Sequence, residues 1–163
     1  MTAGITFVEL LDWIGKETAA YERWFAGRSD AVWAVPVGLD RTATVRDLLF
    51  HVYMVDLRYG QRLRQLPVSS YTDEVAADPA GLFALARRGQ DLLRSALDGN
   101  VDLTQVLEFQ TISAGNLRAS GRKILAHTLT HHIRHLAQIA TALRQHGHAT
   151  DWMHDLLMSD VLA

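Results

Sequence analysis

Four stretches of this 163-residue chain repeat their apolar residues every third or fourth position, and that period is the strongest constraint on what it can fold into. The first runs from about Thr6 to Phe25, carries Phe7, Leu10, Leu11, Ile14, Tyr21, Trp24 and Phe25 on one face, and closes at Gly27-Arg28-Ser29-Asp30. A loop is expected from about Ala34 to Ala43. The second helix starts at Thr44, with Asp47 three residues on as a short-armed capping box, and ends at Pro67. The third follows the Asp78-Pro79 start signal and stops at Asp98-Gly99-Asn100. Between Asn100 and Ala119 the helical period disappears, and Val101 to Ile112 with Gly115-Asn116 predicts a short extended excursion or hairpin. The last long helix takes Ser120 as N-cap, covers Ile124 to Gln145 and ends near Gly147. A short final helix over about Asp151–Met158 is expected to pack Trp152, Leu156 and Leu157 onto the bundle. The reading is an all-α four-helix bundle forming one domain over residues 1–163, with a longer crossover before the last long helix.

Composition narrows the partners. A formal net charge of −2 argues against the concentrated basic surface that nucleic acid requires. No apolar run approaches bilayer length, and Met1 to Leu11 lacks a signal-peptide pattern, so a cytoplasmic protein is the expectation. The chain has no cysteine, which removes disulfides, thiolate metal sites and cysteine nucleophiles.

Histidine carries the chemistry instead. All eight histidines except His51 lie at or beyond His127, and His127, His131 and His135 form a stripe four residues apart on the last long helix. His131 and His135 border its apolar face, marked by Leu125, Leu129, Ile133 and Leu136, while Lys123, Arg134, Gln138 and Gln145 mark the expected solvated side. A third ligand from another element would make a rigid site with open positions. His51, in the first third of the second helix, supplies it if those two helices are neighbours. Three neutral imidazoles suit zinc, nickel, iron or manganese equally.

The remaining candidates each have a plainer reading. His127 either supports a ligand from behind or lies at the surface. Asp47 is a capping residue first and a partner of a ligand histidine second. His132 reads as a core histidine bonded to a backbone carbonyl, and His146, His148 and His154 as helix-end and loop residues. Trp13, Trp24, Trp33 and Trp152 pack the bundle; Tyr53 and Tyr59 pack the core or line a cleft.

The stretch His127 to His135, continuing Leu136-Ala137-Gln138 and closing at Leu143-Arg144-Gln145-His146-Gly147, resembles the DinB/YfiT-like superfamily of metalloenzymes. So does Arg41-Thr-Ala-Thr44-Val-Arg-Asp47-Leu-Leu-Phe-His51. The resemblance spans the chain, with one departure: Leu136-Ala137 replaces the Arg-Gly usual after the last histidine. It implies an up-down-down-up bundle, a mononuclear site on His51, His131 and His135, and a homodimer. Characterised relatives include metal-dependent transferases and isomerases that use low-molecular-weight thiols such as mycothiol or bacillithiol, and some relatives respond to DNA damage. The leading expectation is therefore a metal-dependent transferase working on a small thiol. The alternatives are a non-catalytic metal- or ligand-binding protein of a stress response, a metal-dependent hydrolase, and a structural dimer with vestigial histidines.

Overall fold

The computed structural model describes residues 4–39, 42–74, 78–99, 101–112 and 114–161. Arg41 and Asn100, which figured in the sequence reading, lie outside them. Helix α1 spans Phe7–Phe25 and opens on a full capping box, with Thr6 Oγ1 accepting from the Glu9 amide and Glu9 from the Thr6 amide. A single-turn helix, α2 (Asp30–Trp33), follows. It was not foreseen, nor was the antiparallel pair β1 (Pro36–Leu39) and β2 (Thr42–Thr44) in the stretch read as loop. Helix α3 (Val45–Leu63) starts on the expected Thr44–Asp47 box but stops four residues short of Pro67. The chain leaves the helical path at Gln65, whose φ is 54°. Helix α4 spans Pro79–Asp98, capped by Asp78 on the Gly81 amide, and β3 (Val106–Thr111) and β4 (Gly115–Ser120) form the expected hairpin. Helix α5 runs Gly121–Gln145 from the Ser120 cap.

The expected final helix is reduced to one 3₁₀ turn, Leu156–Met158, and Leu157 is 83% exposed. What anchors this tail is polar and aromatic instead. Trp152 meets Tyr21 edge-on at 5.0 Å and donates its indole N–H to the buried Glu17, which also takes His154 Nδ1 at 2.6 Å.

Side-chain partners fix the helix directions. Asp12 pairs with Arg94, Thr18 with Gln90 and Glu22 with Arg87, so α1 and α4 are antiparallel. Gly89 lies against Asp56 and Leu57, and Gly60 against Leu92, so α3 and α4 run parallel. Tyr59 meets His127 while His51 meets His131 and His135, so α3 and α5 are antiparallel. Phe7 under Arg122 and Tyr21 on the Leu136 carbonyl make α1 and α5 parallel. The order is up-down-down-up. Such an order forces a long return between the parallel α3 and α4, and its described part, residues 64–74, is held along α3 where Gln61 binds Ser69 and Arg58 donates to the Ser69 carbonyl.

The interior holds two apolar clusters. One centres on Tyr21, Phe25, Trp33, Tyr53 and Phe83, the other on Leu11, Ile14, Leu93, Leu125 and Leu129. No helix among the described residues is long and apolar enough to cross a membrane. The parallel pair approaches closely because glycines stand at the contact: a Cβ on Gly89 would sit 2.9 Å from the Leu57 amide nitrogen and 3.0 Å from Asp56 Cβ. That crowding is against backbone, which cannot swing aside. Gly89→Ala is therefore expected to lower unfolding stability by about 1–3 kcal/mol, the usual cost of overpacking, despite alanine's better helix propensity. Urea denaturation checks it, and a neutral or stabilising result would contradict the close packing.

Candidate metal centre

His51 stands two turns into α3, and His131 and His135 occupy successive turns of α5. Because the two helices pack antiparallel, the three rings meet in one place. His131 Nε2 lies 3.2 Å from His51 Nε2 and 3.1 Å from His135 Nε2. One ligand atom from each ring lies within 4.8 Å of the other two. Nitrogens bound to one ion at about 2.0–2.1 Å, at angles near tetrahedral or octahedral, stand roughly 3.0–3.4 Å apart. The cluster is thus able to coordinate a divalent metal ion. His131 and His135 are buried, each 8% exposed, and His51 is partly open.

The surroundings hold the rings neutral. Burial, then the neighbouring His135 and Arg134, push His51 down to about 4. His131 is pushed down to about 2 by burial and by the other rings. His135 is lowered by burial, partly offset by its hydrogen bond to Gln138. Neutral rings have lone pairs to give.

Gln138 decides which nitrogen of His135 gives one. Its Oε1 lies 2.5 Å from His135 Nδ1, and an amide oxygen only accepts, so Nδ1 carries the proton and Nε2 is free. Behind His51, the Tyr71 hydroxyl stands 3.5 Å from Nδ1, a long contact, and burial raises the Tyr71 pKa so that the phenol stays protonated. Nδ1 of His131 is buried without a hydrogen-bond partner among the described residues.

His127 lies one turn before His131, exposed, its ring centroid 5.4 Å from that of His131 and 5.6 Å from Tyr59. Asp47 is engaged at the helix start, where its Oδ2 accepts from the Thr44 amide and hydroxyl at 3.0 and 2.8 Å. Neither joins the three-ring cluster. His132, expected to bond a backbone carbonyl, instead places Nδ1 2.6 Å from Asp56 Oδ2 in the bundle interior, with both side chains essentially inaccessible. Burial raises the Asp56 pKa against the pull of His132.

Sequence reasoning missed three of these partners. Gln138 was assigned to the solvated side, although a residue three positions after a ligand shares its face. Asp56 was signalled by its place as the one acid inside the apolar run Val52–Leu57. Tyr71 gave no local signal, since the return segment alone brings it to His51. Beyond Gln138 an open groove of about 510 Å³ runs along α5 past Thr141 and Gln145, against Pro36, Val37 and Gly38; of the groups described, only Gln138 touches both it and the triad.

A helical bundle of up-down-down-up order with three histidines converging between antiparallel helices defines a class of helical metal-site proteins. The chain belongs to the DinB family, whose model matches residues 5–161. Its fold is similar to that of YfiT from Bacillus subtilis, a probable metal-dependent hydrolase with an unusual four-helix bundle topology. The TM-score is 0.61 and the identity 17%, over 90% of this chain and 93% of that one. No curated protein matches the chain in sequence.

The depressed imidazoles have a consequence for the metal-free protein. Rings that titrate lower when folded than when unfolded let the unfolded chain take up protons first as pH falls below about 6.5, so folding stability is lost from there downward. Wild type without metal is expected to lose urea resistance between pH 6.5 and about 4 more steeply than a His51→Gln/His131→Gln double variant. Equal slopes would show that the fold does not hold these rings neutral.

Proposed function

We propose that this protein is a metal-dependent hydrolase whose single divalent ion is held by His51, His131 and His135. The observation that carries the reading is the convergence of three neutral Nε2 atoms from two antiparallel helices, with one ligand's tautomer already set by Gln138. Three protein ligands leave coordination positions open, as catalytic sites require and closed structural sites do not. The chemistry such an ion supplies is Lewis acidity, which polarises a carbonyl or phosphoryl group and makes water a stronger acid.

The chain's own residues would then divide the work. The triad binds without contributing charge, so the ion keeps its full polarising power. Gln138 orients His135, and His51 is partly exposed, giving a reactant access from that side. Tyr71 keeps its phenol proton and is not a base; with His51 ligating through Nε2, the ring's Nδ1–H faces the Tyr71 oxygen, which accepts. His127, beside His131 on the exposed side, is the nearest additional imidazole and would support the site from its rim; Asp47 would contribute only by fixing the start of the helix that carries His51. The resemblance of the fold to YfiT supports hydrolysis as the reaction class.

Elemental analysis of untagged protein is the first test. Wild type is expected to carry about one equivalent of zinc, nickel, iron or manganese, and His51→Ala and His135→Ala to lose it. Gln138→Ala should weaken metal affinity about 10- to 100-fold with the fold intact, as loss of a ligand's hydrogen-bond partner generally does. Metal-free wild type, or two histidine variants that keep their metal, would sink the assignment. The loaded protein is then offered carboxylic and phosphoric esters and amides, and separately mycothiol or bacillithiol with an electrophile. Turnover confined to the thiol arm would replace hydrolysis by thiol transfer, and turnover in neither would favour a metal-sequestering protein.

A further inference from the structure

Arg134 sits between the two ligand histidines of α5 and is exposed, with its Nη2 3.5 Å from His135 Nε2. Among the described residues it has no carboxylate partner, unlike Arg87, Arg88, Arg94 and Arg118, each of which is paired with an acid. Its charge helps lower the pKa values of His51, His127, His131 and His135, so it stands within electrostatic reach of the whole cluster, on an exposed turn of the helix. Among the described residues no carboxylate has a comparable influence on any of those four rings.

The electrostatic consequence follows from the ligand set. Three neutral imidazoles offset none of an ion's charge, and a guanidinium so near a ligand nitrogen adds to it. Two like charges within a few ångströms in a partly dry site repel strongly unless an anion lies between them. A planar guanidinium with several free N–H groups is the side chain best matched to a carboxylate or phosphate. Arg134 also shares a stripe of α5 with Gln138, Thr141 and Gln145, the residues that line the groove of about 510 Å³, a volume suited to a small molecule.

We propose that Arg134 anchors an anionic group of the triad's ligand, making the substrate class small molecules that bear a carboxylate or a phosphate. The inference rests on the metal reading above. Its test uses the full chain loaded with cobalt(II), whose visible spectrum reports occupancy of the triad, titrated calorimetrically with inorganic phosphate and with acetate. Wild type binds at least one of the two, and the tighter names the group. Arg134→Gln weakens that binding about tenfold or more, as expected for loss of charge-assisted hydrogen bonds, while cobalt affinity holds or tightens. Arg134→Lys recovers part of the loss, and Arg122→Gln, whose guanidinium lies over Phe7, changes nothing. Unchanged anion affinity in Arg134→Gln, or no anion binding by loaded wild type, overturns the proposal and leaves the metal reading standing. Failure of wild type to take up cobalt overturns both.

Discussion

The contact on which the site depends lies behind it, where Asp56 of α3 meets His132 of α5 at 2.6 Å, with both side chains removed from water. Burying two such groups is costly unless each satisfies the other, and removing either leaves its partner stranded. The pair therefore sets the rotation of α5 against α3. With the His132 ring committed to the interior, the residues on either side of it in the chain must point elsewhere. His131 and His135, a turn apart, fall on the side where His51 comes up from α3. Along α5, His132 also falls between the two apolar clusters, so a polar register mark stands where hydrophobic packing alone would allow the helices to slide.

The helices and three histidines were readable because their signals are local and periodic. The capping box at Thr44, the Asp78-Pro79 start and the Ser120 cap each announced a helix within a residue or two, and the apolar period alone marked the first. His131 and His135 were placed by their spacing, and His51 by its solitude. What failed was decided by distant contacts. The tail from Asp151 has the apolar residues of a helix, but Glu17 captures Trp152 and His154 and holds the chain in an irregular path. The segment 36–44 reads as loop because two short strands carry too few residues to show alternation. His132 and Asp56 were each visible, yet nothing in the sequence said that positions 76 residues apart would be paired.

Helix order has a further effect on the site. Running α3 and α4 in the same direction is possible only with a return segment along the bundle, and that segment delivers Tyr71 to the back of His51. An up-down-up-down bundle with short turns would have no chain there to supply a phenol. The same parallel pair draws together through Gly60 and Gly89, so α3, which bears one ligand, is braced by α4 on one flank and by α5 on the other.

The uncharged character of the three imidazoles reaches beyond local chemistry. The chain's formal net charge is −2 with histidines neutral, and a divalent ion held by neutral rings would cancel it. Occupied molecules would then carry almost no net charge near neutral pH, while empty ones keep a mutual repulsion that favours dispersal. Metal loading would thus alter how copies of the protein tolerate crowding, and the two populations would migrate apart in an electric field without any change of shape.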